Sequence, residues 1–264
     1  MKQKIIQLLP DKLFVSFKKW GWQGNYNSWE EAEERSIGYD AASILEKVSS
    51  SLLRVKTGDA IYERDSMIFD KIEYSWEILS ILMWIAAQNK GELNIIDFGG
   101  SLGSTYYQNK QFLDKLSSVS WNIVEQSNFV EEGKRSFEND ILKFYNTIDD
   151  CIKASVKKIN GILFSSVLQY LENPYVILEK AVEKEFQYII IDRTGFSRNN
   201  KMRLTVQKVN PKIYDALYPC WFFSETEFLY FLSNKGYSML FDFESLDITN
   251  IPAKYKGFVF ELKR

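Results

Sequence analysis

A short apolar segment of the sequence runs through an acid into a glycine-rich turn, an arrangement suited to holding a small molecule. The segment spans residues 94–104 and reads Asn-Ile-Ile-Asp-Phe-Gly-Gly-Ser-Leu-Gly-Ser, with the acid at Asp97. Gly99, Gly100 and Gly103 can take backbone angles closed to other residues, and they let a ligand approach the main chain. The free amides of the helix predicted after them would face that ligand. The pattern predicts a cofactor loop, with a tight turn of purely structural use as the alternative.

The spacing of the glycines bears on which cofactor the loop would hold. A dinucleotide-binding turn carries the order Gly-x-Gly-x-x-Gly directly after its first strand. Counting back from Gly103, Phe98 stands where the first of these glycines belongs. NAD is therefore the weaker interpretation.

A second acid follows at the spacing of one strand-helix-strand unit. Residues 121–124 read Trp-Asn-Ile-Val, a short apolar strand, and Glu125 follows them 22 residues after Gly103. One helix and its return connection take up that length in a parallel sheet. A carboxylate at the end of this second strand can accept hydrogen bonds from both hydroxyls of a ribose. A solvated glutamate at a strand end is the alternative interpretation.

Asp192 and Arg193 are candidates for work on a second ligand. They follow the apolar run Tyr-Ile-Ile-Ile at 188–191, and open α/β sheets bind ligands at the carboxyl ends of their strands. Asp192 is a candidate general base, and Arg193 is a candidate for gripping a phosphate or carboxylate with its planar fork. The two side chains could equally neutralise one another at the strand end.

Aromatic residues cluster in two segments that could contact a ligand. Residues 214–223 lie between the fifth predicted strand and the last helix, and their candidate acceptor contacts are Tyr214, Tyr218 and Trp221. Aromatic faces stack on the C–H surfaces of sugars, although they more often cover a hydrophobic core. Residues 20–29 contain three tryptophans and two glycines. This segment could fold over the cofactor as a lid or serve as a hydrophobic clasp.

The remaining sequence predicts an α/β fold that positions these groups. Apolar strands alternate with helical patterns between residues 94 and 192, which indicates a parallel sheet with helices on both faces. Further strands are predicted at 142–145, 161–165, 188–192, 237–243 and 256–261. Helices are predicted at 130–138, 147–157, 175–184 and 224–233, the last with Ser224 as N-cap. The apolar run 78–87 is predicted to be a buried helix that packs on the sheet.

Composition limits the classes of partner and compartment. The chain has 33 basic and 35 acidic side chains and no basic run, which disfavours nucleic acid because phosphate neutralisation needs clustered Lys and Arg. Cys151 and Cys220 form no paired motif, as expected in a reducing compartment. The longest apolar run is half a membrane span, and residues 5–10 are too short for the apolar core of a signal peptide. These features predict a cytoplasmic protein.

The sequence contains no histidine. Ser-His-Asp and Cys-His catalysis are therefore excluded, as are the common zinc sites, and no metal is expected. Methyl transfer from a sulfonium tolerates this lack, because the donor is already activated and the protein mainly aligns the reactants. A neutral hydroxyl acceptor would use Asp, Glu, Tyr or Lys as its base, whereas an anionic acceptor would need none.

The acid and glycine-rich loop resemble motif I of the class I S-adenosylmethionine (SAM) methyltransferases, in which the acid orders the loop around the methionine end of the cofactor. A closer resemblance covers nearly the whole chain. It is carried by Gly21-Trp22, Gly24, Tyr26, Ser28-Trp29 and residues 38–40, 97–103, 124–126, 165–170, 192–194 and 218–221. This combination is similar to a family of methyltransferases encoded among bacterial O-antigen and other surface-polysaccharide genes.

The resemblance implies a doubly wound, Rossmann-like sheet of seven strands, with five parallel strands, a C-terminal strand pair and the last strand antiparallel. Residues 1–90 would form an N-terminal helical lid, and residues 91–264 the SAM-binding domain. By position, the cofactor contacts would be Asp97, Gly99, Gly100, Gly103, Glu125, Gln126, Ser165, Gln169 and Tyr26. Gln169 departs from the broader pattern, since many small-molecule methyltransferases have histidine there.

The implied function is SAM-dependent methylation, with oxygen as the preferred acceptor atom. The acceptor would be a capsule or O-antigen precursor, or a phosphate or phosphoramidate group that modifies it. Two alternatives remain open. One is an NAD-dependent nucleotide-sugar oxidoreductase or epimerase, and the other is a non-catalytic protein that retains the fold. The sequence makes no prediction about the oligomeric state.

Overall fold

The computed structural model describes residues 20–36, 41–211, 213, 215–245 and 247–263. The strands are β1 (Gly21–Tyr26), β2 (Tyr62–Arg64), β3 (Met67–Phe69), β4 (Glu92–Phe98), β5 (Ser118–Val124), β6 (Leu142–Tyr145), β7 (Gly161–Ser165), β8 (Tyr188–Ser197), β9 (Arg203–Lys208), β10 (Leu217–Phe222), β11 (Tyr237–Glu244) and β12 (Ala253–Leu262). The helices are α1 (Trp29–Glu34), α2 (Ala41–Thr57), α3 (Trp76–Gln88), α4 (Ser104–Leu113), α5 (Ser127–Ser136), α6 (Ile148–Ala154), α7 (Pro174–Glu183) and α8 (Glu225–Asn234).

The central sheet has seven strands in the order β11-β12-β8-β7-β4-β5-β6. Within this sheet, the five strands β4 to β8 run parallel to one another. The last strand, β12, lies between β8 and β11 and is antiparallel to both. The prediction of a mostly parallel α/β sheet of seven strands is confirmed. Chain order reverses on either side of β4, and the carboxyl ends of β4 and β7 therefore form the crevice where such sheets bind ligands.

Hydrophobic cores cover both faces of the sheet, because successive residues of a strand point to opposite sides. Ile95 and Leu163 face a cluster that includes Leu82 of α3. Their neighbours Ile96 and Ile162 face the other cluster. Helix α3 buries Ile78, Leu79, Ile81, Leu82, Ile85 and Ala86, which confirms the predicted buried helix. Within the described ranges, no helix combines the length and apolar character needed to cross a membrane.

A second sheet joins the N-terminal segment to residues 203–222, where the sequence predicts no strands. Strands β9 and β10 pair antiparallel between β8 and α8, and β1 adds to the free side of β9. Leu204 and Val206 of β9 pack against Ala32 of α1. The N-terminal segment is thus strand as well as helix. A domain boundary near residue 90 stays a prediction.

Strands β2 and β3 form a small hairpin ahead of β4. Its turn residues, Asp65 and Ser66, have φ of 51° and 67°, the left-handed conformation that a two-residue hairpin turn requires. The hydroxyl of Ser51 in α2 donates to the carbonyl of Ser66 over 2.8 Å. The hairpin contacts α4 and α2, and this brings it to the start of the helix that follows the glycine-rich loop.

Candidate functional site

One large cavity opens at the carboxyl ends of β4, β5, β7 and β8, with a volume of about 1180 Å³. The predicted site residues that line it are Asp97, Gly99, Gly100, Glu125, Gln126, Ser165, Asp192, Arg193 and Tyr218. Ligand pockets in proteins commonly occupy ~300–1,000 Å³. The cavity can therefore accommodate a nucleoside cofactor together with a second ligand.

The glycine-rich loop is shaped by contacts that exclude side chains. Gly99 has φ of +71°, and a Cβ there would lie 2.3 Å from Cγ2 of Val167. A Cβ on Gly100 would lie 2.5 Å from Cγ of Asp97. Gly103, with φ of +105°, is the N-cap of α4 and provides no side-chain cap, so the first amides of the helix have no capping partner from it. Gly103 turns the chain but does not line the cavity described above.

Asp97 is buried beneath this loop. Its Oδ2 accepts a 3.0 Å hydrogen bond from the indole Nε1 of Trp121. Burial raises the pKa of Asp97 to about 7, the hydrogen bond from Trp121 acts in the opposite direction, and Glu125 and Asp192 raise it further. The charges of Glu125 and Asp192 therefore both act on the carboxyl group of Asp97.

Glu125 follows β5 at the cavity wall. Its Oε2 accepts a 2.7 Å hydrogen bond from the amide of Gln126. Burial raises the pKa of Glu125, while the amides of Gln126 and Ser101 act to lower it. The carboxylate is thus oriented by the backbone on one side. Gln126 caps the start of α5 without a side-chain cap bond.

Ser165 and Asp192 are neighbours across β7 and β8. The hydroxyl of Ser165 donates to Oδ2 of Asp192 over 2.7 Å. Burial raises the pKa of Asp192 to about 6, against the hydrogen bond from Ser165 and the charge of Arg193, which lower it. A buried carboxylate with a pKa near neutrality in a cleft has the properties of a general base.

Arg193 forms its ion pairs with Asp247 and Asp65 rather than with its neighbour Asp192. Its Nε donates to Oδ2 of Asp247 over 3.1 Å and its Nη2 to Oδ1 of Asp247 over 3.2 Å. Nη2 also donates to Oδ2 of Asp65 over 3.2 Å. The guanidinium is therefore held between the β2–β3 turn and the β11–β12 loop. The role of Arg193 as an anion clamp stays a prediction, and its contacts show a guanidinium that already pairs with two carboxylates.

Gln169 lies behind Arg193 and outside the cavity lining. It is fully buried, and its Nε2 donates to the carbonyl of Arg193 over 3.0 Å and to Oγ of Ser166 over 3.3 Å. Arg193 has φ of 47°, a strained conformation for a residue with a side chain. Gln169 thus supports this strained turn through its hydrogen bonds, and its place beside the sulfonium stays a prediction.

The aromatic candidates divide between the cavity and the core. Tyr218 lines the cavity and packs edge-on against Tyr170, with ring centroids 5.1 Å apart. Trp221 stacks on Trp29 at 6.2 Å and lies outside the cavity lining, as does Tyr26 of β1. Tyr214 and residues 38–40 lie outside the described residues.

Several cavity residues escaped prediction from sequence. They are Tyr62, Glu63, Asp65, Asp247 and Tyr255. Glu63 and Asp65 stand in a three-residue strand and its turn, too short for a periodic signal. Asp247 follows β11 in an irregular loop. Their only sequence signal is the acid type itself, which is common on any surface.

No family model matches the chain, and no curated protein matches it by sequence. Several solved structures are similar to it at low identity. Magnesium protoporphyrin IX methyltransferase (ChlM) from Synechocystis PCC 6803 with bound SAM has 10% identity and a TM-score of 0.48, over 86% of this chain and 99% of that one. The N-terminal domain of EvdMO1 with S-adenosylhomocysteine (SAH) bound has 13% identity and a TM-score of 0.47, over 86% and 98%.

LepI in complex with SAM has 11% identity and a TM-score of 0.47, and the match covers 69% of this chain. The chain spans 46% of the length of that protein. With TM-scores below 0.5, these similarities do not define the ligand of this chain. Its function has to be argued from its own residues.

Proposed function

We propose that the protein is a SAM-dependent methyltransferase that methylates a hydroxyl group of a small or saccharide-linked acceptor. The observation that carries the proposal is the convergence of three elements on one cavity: the glycine-rich loop with Asp97, the carboxylate of Glu125, and the buried carboxylate of Asp192. The first two suit a nucleoside cofactor. The third supplies a base where a second ligand would lie.

The residues present fit SAM. Gly99 lines the cavity as bare backbone, because a side chain there would collide with Val167, and a ligand can approach the main chain closely at such a position. Glu125 retains acceptor capacity for ribose hydroxyls beyond its bond from Gln126. Among the described residues, ten acidic side chains and three basic ones line the cavity, the basic ones being Arg64, Lys71 and Arg193. Such a field favours a cofactor that carries a sulfonium and an ammonium group.

When bound, SAM supplies an activated methyl group. Asp192 would accept the proton that the acceptor hydroxyl loses on methylation. Ser165 would hold the Asp192 carboxylate in place through its 2.7 Å hydrogen bond. Methyl transfer needs alignment and exclusion of water more than strong acid–base chemistry.

The contacts of Arg193 favour a neutral hydroxyl over an anionic oxygen. Its guanidinium already meets the carboxylates of Asp247 and Asp65, so it offers no net charge to a phosphate. Trp22, Tyr218 and Tyr255 provide aromatic walls in the same cavity, and such faces stack on sugars. The acceptor we propose is a precursor of a surface polysaccharide, such as a capsule or O-antigen, methylated in the cytoplasm. The segment before β4 would act as a lid.

The test is isothermal titration calorimetry of the wild-type protein with SAM, SAH and NAD, followed by methyl-transfer assays on hexose and sugar-phosphate acceptors. We expect SAM and SAH to bind and NAD not to bind, with transfer to a sugar hydroxyl. Binding of NAD in place of SAM would identify an oxidoreductase or epimerase. Binding of SAM without turnover on any acceptor would favour the non-catalytic alternative.

A further inference from the structure

Glu63 of the β2–β3 hairpin reaches the start of the helix that follows the glycine-rich loop. Its Oε2 accepts a 2.7 Å hydrogen bond from the hydroxyl of Ser104, the first residue of α4. Its Oε1 accepts a 2.7 Å bond from the amide of Ser66 at the hairpin turn. Both Glu63 and Ser104 line the cavity. The carboxylate thus lies at the end of the cavity that the loop forms.

Among the described residues, no cation pairs with this buried carboxylate. Glu63 is only 2% exposed, and within the described part of the chain no Lys or Arg nitrogen pairs with it. Burial raises its pKa, the bonds from Ser104 and Ser66 oppose that effect, and the neighbouring Asp65 adds to it. A buried carboxylate is costly unless it is paired with a cation. Each of its oxygens keeps a free acceptor position after the bond that it already receives.

Contacts with β8 and α2 also hold the β2–β3 hairpin in place. Asp65 pairs with Arg193 at the end of β8 over 3.2 Å, and Ser51 of α2 holds the carbonyl of Ser66. Glu63 is therefore presented to the cavity by a short turn fixed at both ends, which makes a defined binding position rather than a mobile surface acid.

We propose that Glu63 binds the α-ammonium group of the methionine moiety of SAM, and this inference rests on the proposed function. The ammonium is the cation that the cofactor carries at its methionine end, which the proposed function would place next to the glycine-rich loop. It would supply the counter-ion that Glu63 lacks. The N-terminal hairpin, outside the central sheet, then contributes directly to cofactor binding.

A purely structural role for Glu63 makes a different prediction. As an acid beside the first turn of α4, it would stabilise the helix through Ser104 and the helix dipole, and it would have no preference among ligands. The two roles separate when the ligand is varied together with the residue. SAH and its deamino analogue differ only in the ammonium group, while 5′-methylthioadenosine lacks the amino-acid portion altogether.

The experiment is a cycle of calorimetric titrations with wild type and Glu63→Gln, which keeps the shape of the side chain. The amide oxygen of the variant can still accept from the Ser66 amide, while its NH2 group can donate to the hydroxyl oxygen of Ser104. We expect Glu63→Gln to weaken SAH binding about tenfold or more, as for loss of a charge-assisted hydrogen bond. It should bind 5′-methylthioadenosine as the wild type does, which also shows that the variant is folded. Loss of the amino group should weaken binding to the wild type but hardly to Glu63→Gln.

Two comparisons guard this result. Asp70→Asn, at an exposed position directly after β3 and outside the cavity lining, should leave the difference between SAH and its deamino analogue unchanged. The proposal is overturned if the wild type binds SAH and its deamino analogue equally well. It is also overturned if Glu63→Gln loses affinity equally for all three ligands. Wild type that binds none of the three would overturn the proposed function itself.

Discussion

The hydroxyl of Ser165 donates a 2.7 Å hydrogen bond to the carboxylate of Asp192, joining the ends of two adjacent parallel strands. The bond stabilises the charged form of Asp192, whereas burial destabilises it. The net effect is a pKa of about 6, above the ordinary value of 3.8. The pair places a group that can accept a proton near neutral pH at the ligand-binding edge of the sheet.

Asp192→Asn should lower turnover by about 100-fold or more with little change in SAM affinity, since general-base catalysis contributes roughly 10²–10⁴-fold. In the wild type, turnover should fall as the pH drops below about 6, where Asp192 becomes protonated. Ser165→Ala should move this limb to higher pH, because it removes a bond that favours the carboxylate. Steady-state kinetics between pH 5 and 9 measure the pH dependence of turnover in the wild type and in Ser165→Ala. A pH profile that is the same in Ser165→Ala would remove Asp192 from the chemistry.

Gly99→Ala should impair SAM binding and stability more than Gly58→Ala does. Both glycines have positive φ, +71° and +85°, so both variants carry the backbone strain of about 1–2 kcal/mol. Only Gly99 meets a neighbour, Val167, whose Cγ2 would lie 2.3 Å from the new Cβ, while the position at Gly58 is open. Thermal unfolding and SAM titration compare the two. Equal effects would show that the packing at Gly99 is unimportant.

Glu125→Ala should weaken SAM binding by roughly 2–3 kcal/mol, as for loss of charged hydrogen bonds to two hydroxyls. Glu131→Ala, an exposed acid on α5, is the matched control and should have no effect. Titration calorimetry measures both, and circular dichroism verifies folding. An unchanged dissociation constant for Glu125→Ala would remove this residue from the cofactor site.

The pKa of Asp97 predicts that the ligand-free protein loses stability as the pH rises. Its folded pKa of about 7 exceeds the ordinary value of 3.8, so its contribution is fully present below pH 3.8 and is lost as the pH rises through 7. At about 1.4 kcal/mol per pH unit, the loss is at most about 4 kcal/mol.

Asp97→Asn should therefore reduce the fall in the free energy of unfolding between pH 5 and 8, even though it weakens SAM binding. Urea denaturation at the two pH values measures this. Asp140→Asn, at an exposed loop position, is the control and should follow the wild type. An Asp97→Asn variant with the full pH dependence of the wild type would contradict the assignment.

The ion pairs of Arg193 should differ in their contribution to stability. Asp247 meets the guanidinium with both oxygens and is 24% exposed, whereas Asp65 makes one contact and is 52% exposed. We expect Asp247→Asn to cost about 1–2 kcal/mol and Asp65→Asn under about 1 kcal/mol. Chemical denaturation gives both values. If Asp247→Asn instead creates activity on a sugar phosphate, the freed Arg193 can bind anions.

The sequence by itself determined the central sheet and the edge of that sheet at which the candidate site lies. Strands β4 to β8 are apolar runs broken by helices, so their parallel arrangement follows from local pattern. Asp97 and Glu125 are placed by the same rule, since each ends a strand and the carboxyl ends of parallel strands meet at one edge. Burial of both faces then leaves little choice of register.

Tertiary structure alone decided the partners of the charged side chains. Arg193 and Asp192 are adjacent in sequence, yet Arg193 pairs with Asp65 and Asp247, 128 and 54 residues away. The φ of Arg193 is 47°, which departs from the extended conformation of a strand. Gln169 stabilises this conformation by donating a hydrogen bond to the carbonyl of Arg193. Glu63 reaches Ser104 across 41 residues through a three-residue strand. Such pairings depend on loop geometry and on long-range contacts, which hydrophobic periodicity does not encode.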